Sequence, residues 1–249
     1  MRELPQLRQQ LQQVEHMSQD SILAHFIVQS LSMATINVDY KGKDQKEIRK
    51  NIHSAYEAVR CVFDVEPKVI NIAVHKTRKN FEKKLNRKTT GWEVANASYA
   101  GNIDILHPDS FEKESTHAKD DFVPILKHEF AHIFLDLLSK GHKIPRWLDE
   151  GFSSYVAGLK KKDVSLHIEE HFCEVLGSPK GWDEHAQRDA YAVSQLFVEY
   201  LIKTFSLERV LMLIASISKH YYFKKFEVAF KKIFGKSIEE AECNFVEQL

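Results

Sequence analysis

LKHEFAHIFLDLL, residues 126–138, places two histidines four apart, with a glutamate directly after the first, in a run that is otherwise mostly apolar. Ile125, Phe130, Ile133, Phe134, Leu137 and Leu138 cover much of the surface of a helix, so the stretch predicts a buried helix that begins near Asp121, with Pro124 tolerated just inside its start. Four residues turn a helix by about 400°, which puts His128 and His132 on one face with their Cβ atoms roughly 5–6 Å apart. Two imidazole nitrogens at that separation reach one Zn²⁺ at about 2.0–2.1 Å. Glu129 is rotated by about 100° and points beside the ion, where it is suited to hold a water and take its proton. The same residues also fit a core helix with hydrogen-bonded histidines, and the pentapeptide alone does not separate the two.

A zinc enzyme of this kind needs a third protein ligand and an open fourth position. If the helix continues to about Ser139 it descends roughly 11 Å past His132, and Gly141 to Pro145 can turn the next helix back alongside it. Glu150, with 17 residues between it and His132, lies one turn into that returning helix and is placed to complete the site. Its rivals are Asp149, His142 and Asp136. Asp136 is one turn beyond His132 on the same helix, a position from which it would orient an imidazole. His142 is ten residues after His132, whereas an HExxHxxGxxH pattern puts its third histidine where this chain has Leu138. Asp149 is adjacent to Glu150 and is expected to point elsewhere on the helix.

Outward from this helix the chain divides into an α/β part and a helical part. Asp44 and Glu47 make a capping-box-like start for a helix with Ile48, Ile52, Ala55, Val59 and Val62 at helical spacing. Pro67 ends that region, KVINIAVH (68–75) reads as a strand, Thr77 caps a short charged helix to about Leu85, and NIDIL (102–106) is a second strand before His107 and Pro108. Beyond the histidine helix, further helices are predicted from Arg146 and over about 163–176, 184–204, 206–218, 223–234 and 237–247, the last with Ser237 and Glu240 as a capping box. Residues 1 to about 40 predict one or two helices. The expectation is an α+β fold: residues 1–43 form an N-terminal helical extension, 44–140 an α/β lobe with a mixed sheet and the histidine helix, and 141–249 a helical lobe.

Composition excludes several classes. The 249 residues carry 35 Lys and Arg against 35 Asp and Glu, so the chain lacks the basic excess of a general nucleic-acid binder. The basic clusters at Lys83, Lys84, Arg87, Lys88 and at Lys160 to Lys162 read as solvated surface. Cys61, Cys173 and Cys243 are far apart and odd in number, which argues against a disulfide framework. The Gln-rich N-terminus lacks the apolar core of about 7–15 residues of a secretory signal, and runs such as Leu211 to Ile217 fall short of the roughly 18 residues of a membrane span. A cytoplasmic protein without membrane or nucleic-acid partners is expected.

HEFAH followed by PRWLDEGFSSY (145–155) resembles the gluzincin zinc metallopeptidases, especially the peptidase MA-like group. Zinc aminopeptidases of the same clan carry a similar pair of motifs, spaced one residue longer. The similarity runs more weakly from about residue 45 to the C-terminus, through KVINIAVH, NIDILHP, RDAYAVSQLFVEYL and FGKSIEEAE, and leaves residues 1–40 uncovered. It implies a zincin-like fold with one Zn²⁺ per chain, held by His128, His132 and Glu150, and Glu129 as general base. It also implies an edge strand before the histidine helix that pairs with extended substrate, either NIDIL or WEVANAS, and a later residue that steadies the oxyanion: Tyr191, with His185 and Tyr155 behind it. The implied activity is hydrolysis of a peptide bond in a peptide or protein substrate by a metal-activated water. GWEVAN (91–96) departs from the GxMEN-type strand with which clan aminopeptidases hold a free amine, so an endopeptidase is favoured over an aminopeptidase. The rival from another class is a regulatory protein that binds zinc without proteolysis.

Overall fold

Alternation of apolar and polar residues in VINIAVH sets one face of a small sheet: Ile70, Ile72 and Val74 are buried while Asn71 is exposed. The computed structural model describes residues 33–98, 100–159, 171–186, 189–217 and 223–248. Within them, β1 (Thr35–Asp39), α1 (Gln45–Arg60), β2 (Val69–His75), α2 (Arg78–Leu85), β3 (Ala95–Ser98) and β4 (Asn102–Leu106) form the first part of the fold. The sheet order is β1-β2-β4-β3, with β1, β2 and β4 mutually parallel and β3 antiparallel at the edge. The fold class is thus α+β with a mixed sheet.

The other sheet face is polar by design of the register. Asn37, Asn71 and Asn102 stand abreast on three strands, and each amide donates to the next: Asn37 Nδ2 to Asn71 Oδ1 at 2.9 Å, Asn71 Nδ2 to Asn102 Oδ1 at 3.1 Å, and Asn102 Nδ2 to Ser98 Oγ on β3 at 3.2 Å. Slipping the register by one residue would bury this ladder and expose the isoleucines.

The helices then follow: α3 (Pro108–Glu114), a 3₁₀ turn at Lys119–Asp121, and the histidine helix α4 (Phe122–Leu138). Next come α5 (Arg146–Ala157), α6 (Phe172–Gly177), α7 (Pro179–His185), α8 (Ala190–Phe205), α9 (Leu207–Ala215), α10 (Phe223–Phe234) and α11 (Ile238–Val246). Tyr56 and Phe63 of the α1 region, Phe130 and Phe134 of α4 and Phe152 of α5 stack into one buried aromatic cluster that fixes the histidine helix between α1 and α5. Phe197 of α8 packs on Trp147, Phe172 and Phe245, tying the helical part to α5. Gly151 allows α5 to touch α8: a Cβ there would lie 2.4 Å from the Ser194 carbonyl oxygen, so the glycine is required by close backbone approach.

Several elements differ from the sequence expectation. TINVD at 35–39 is a strand, although the region to about residue 40 reads as helical, so the sheet begins before residue 44. Only Ile36 and Val38 mark it, too short a pattern to outweigh the apolar run before it; parallel pairing with β2 decides its state. NIDIL is an inner strand between β2 and β3, and the edge falls to the ANAS part of WEVANAS. The helix expected over 184–204 is instead the end of α7, whose start Ser178 Oγ caps through the Gly181 N–H, followed by α8 from Ala190. Asp44 precedes α1 without capping it, since its carboxylate is taken by Tyr40 and His107. Thr77 and Ser237 do cap their helices, the latter in a capping box with Glu240. The helices expected within 1–32 and the start of the 163–176 helix lie outside the described residues. No helix among the described residues is long and apolar enough to cross a membrane.

Candidate metal centre

Because they are four residues apart on the largely buried α4, His128 and His132 project from one face onto α5, which returns alongside after the Gly141 to Pro145 turn. Their rings meet edge-on, with centroids 4.6 Å apart at 84°. The two Nε2 atoms are 3.0 Å apart, and Glu150 Oε2 lies 3.2 Å from His128 Nε2 and 3.6 Å from His132 Nε2. Donors around a tetrahedral Zn²⁺ at its usual bond lengths are spaced by about 3.3 Å, so the triangle has the right size for one ion. Its chemistry points the same way. Asp149 Oδ1 accepts a hydrogen bond from His132 Nδ1 at 2.7 Å, which orients the ring so that Nε2 faces the common point. Two imidazole nitrogens and a carboxylate oxygen that face one point need a cation or a proton between them.

The surrounding residues hold each donor from behind. Ser153 Oγ lies 3.2 Å from His132 Nδ1, and Ser154 Oγ 3.5 Å from His128 Nδ1. Arg146 pairs with the other oxygen of Glu150 at 2.9 Å. Burial works against ionisation of Glu150, but His132, His128 and Arg146 overcome it and hold its carboxyl well below the usual range. Burial likewise opposes charge on His132, and the carboxylates of Asp149 and Glu150 overcome it to hold the imidazole well above its ordinary value.

Glu129 is buried and stands between α4 and the edge strand. Burial pushes its carboxyl up; His128 and His132 pull it down, Glu150 adds to the rise, and a hydrogen bond from the Ala97 backbone on β3 pulls it down again. A carboxylate raised in this way is a better proton acceptor than an exposed one. Tyr191, at the start of α8, sits with its ring between Trp92 at 5.9 Å and Trp182 at 4.9 Å. Burial and then the charge of Glu150 push its phenol well above the ordinary value, so it stays a proton donor across neutral pH.

Among the described residues, His128, His132 and Glu150 are the group that brings two imidazoles and a carboxylate together, and Glu129 and Tyr191 lie within electrostatic reach of Glu150. The other sequence candidates are elsewhere. Asp149 is not a donor to the common point; it takes the orienting position assigned to Asp136, because one step along α5 swings its carboxylate behind the His132 ring. Asp136 is instead pushed up by burial and by the like charge of Asp149. His142 is half-buried in the turn, with its N–H on the Ser139 carbonyl. Tyr155 packs on Phe152, and the charges acting on it are Glu199 and Lys203. His185 ends α7 and makes no described contact with the donors.

Sequence reasoning passed over Arg146, whose place four residues before Glu150 is a legible helical ion pair. It also passed over the Trp92 and Trp182 walls, which only the tertiary fold brings to Tyr191. No family model matches the chain, and neither a curated protein nor a solved structure does.

Proposed function

We propose that the chain is a zinc-dependent peptidase of zincin-like fold, akin to the gluzincins of the peptidase MA-like group, that cleaves internal peptide bonds of a peptide or protein substrate. The observation that carries this reading is the convergence of His128 Nε2, His132 Nε2 and Glu150 Oε2 on one point, beside a buried glutamate. These three residues would hold one Zn²⁺, which supplies a Lewis acid that polarises a carbonyl and makes water more acidic. Glu129 accepts the proton of the attacking water and passes it to the leaving amine. The Tyr191 hydroxyl donates to the oxygen that gains negative charge. Among the described residues β3 pairs with β4 alone, and its outer edge would receive an extended peptide, with Ala97 linking that edge to Glu129. The cysteines are unpaired, in keeping with a cytoplasmic setting.

Glu129→Gln tests the reading. The variant is expected to keep one zinc per chain by elemental analysis while its hydrolysis of N-acetylated peptides falls by roughly 10²–10⁴. Wild-type protein that holds zinc but cleaves neither blocked nor free peptides would identify a zinc-binding regulator instead. Cleavage confined to unblocked peptides would identify an aminopeptidase. Unchanged turnover in Glu129→Gln would remove the mechanism.

A further inference from the structure

We infer that Arg146 is a positioning residue for the metal ligand Glu150, which it holds so that a single carboxylate oxygen faces the two imidazoles; this rests on the zinc reading above. Glu150 is 4% exposed, and its two oxygens have different partners. Oε2 faces His128 and His132, whereas Oε1 is turned away to the Arg146 guanidinium at 2.9 Å. Without a partner, a glutamate side chain rotates freely about its last bond and can offer either oxygen or both.

Arg146 is itself held in place. It is the first residue of α5, directly after Pro145, whose φ of −52° fixes the entry to the helix. The spacing of four residues sets it over Glu150 on one helical face. Its guanidinium lies 5.7 Å from the Trp182 ring centre, and Trp182 meets Tyr191 edge-on at 4.9 Å. A planar cation on an indole face has little freedom. The stack from Arg146 through Trp182 to Tyr191 therefore joins the far oxygen of a ligand to the proposed oxyanion donor, and it locks Glu150 into offering one oxygen.

The number of oxygens Glu150 offers is read from the visible spectrum of the Co²⁺-loaded full chain, because added donors weaken and shift the bands of a four-coordinate ion. In Arg146→Met, Oε1 is released, and a loss of band intensity relative to wild type is expected at equal metal loading. Arg146→Lys keeps a cation at the same helical position and is expected to recover the wild-type spectrum in large part. A wild-type spectrum in Arg146→Met overturns the assignment. Should Arg146→Met fail to fold by circular dichroism, Arg146→Gln takes its place, with a weakened spectrum supporting the assignment and a wild-type one overturning it. Failure of the zinc reading looks different. In that case wild-type chain would not take up one Co²⁺ or Zn²⁺, and His132→Ala would bind as much metal as wild type.

Discussion

Among the described residues, two clusters gather three histidine and carboxylate groups at one point, and they are built to opposite ends. In each, three donor atoms lie within 4.8 Å of one another: His128, His132 and Glu150 in one, Asp44, His107 and Asp109 in the other. In the second cluster the donors are already used. Tyr40 donates to Asp44 Oδ1 at 2.7 Å, His107 Nε2 to Asp44 Oδ2 at 2.7 Å, the Asp109 N–H to His107 Nδ1 at 3.2 Å, and Lys119 to Asp109 Oδ1 at 2.6 Å. Donors and acceptors alternate, so the network is satisfied as it stands. It latches the end of β4 and the start of α3 to the entry of α1. In the first cluster Asp149 and Arg146 hold the outward atoms, and the inward ones, two imidazole nitrogens and a carboxylate oxygen, face one another. A completed network stabilises a fold, and one completed on every side but the middle is a place for a cation.

The largest effect that could break this contrast is loss of metal. His132→Ala is expected to abolish stoichiometric zinc, measured by elemental analysis after dialysis in metal-free buffer, while His107→Ala should retain it. His107→Ala should instead lower the stability to urea by about 2 kcal/mol, because it removes a buried ring stacked on Tyr40 together with a part-buried hydrogen bond to Asp44. If His107→Ala lost the zinc and His132→Ala kept it, the assignments of the two clusters would be reversed.

A smaller effect sharpens the picture of what stands behind the donors. Asp149→Asn weakens the grip on His132 Nδ1, and a loss of 10–100-fold in zinc affinity is expected, since partners of this kind typically carry that much. Competition with a chromophoric chelator measures it. Asp136→Asn, on the same helix as the histidines, should leave the affinity within experimental error. The reverse outcome would restore Asp136 to the orienting place its sequence position suggests.

That pair of aspartates shows where sequence reading reaches its limit here. His128, Glu129, His132 and Glu150 were legible because their spacing is set by helical periodicity and by one short turn, both local properties. Asp136 against Asp149 turns on how far α5 is rotated as it packs on α4, which follows from Phe152, Gly151 and the helices beyond them rather than from any local pattern. The same limit applies to the sheet. KVINIAVH declares itself as a strand by alternation, and NIDIL likewise, but which of them is an edge depends on where ANAS docks. TINVD, with two apolar residues, takes its strand state from β2. Tyr191 could be singled out by its sequence setting, whereas Trp92 and Trp182, which frame its ring, are distant in sequence and meet only in the folded chain.

The smallest effect tests the satisfied network through pH. The Tyr40 hydrogen bond, helped by His107, holds the Asp44 carboxyl below its ordinary value of 3.8, even though partial burial pulls the other way. Burial and the same bond push the Tyr40 phenol up to about 12, so it donates throughout the accessible range. A carboxylate whose pKa is depressed on folding adds stability above its unfolded value, and that stability is lost as the pH falls through the folded value. Tyr40→Phe removes the main cause of the depression. The variant should therefore be less stable than wild type at pH 7 by a modest margin, as Asp44 is partly exposed. The gap should close on acidification through and below 3.8, where Asp44 becomes protonated in both proteins. Because the candidate metal centre is common to both, its own titration cancels in the difference. A gap that stays constant down to the acid limit would show that the Tyr40 hydroxyl serves the charged and the neutral Asp44 carboxyl equally, and so is not what holds that carboxyl below its ordinary value.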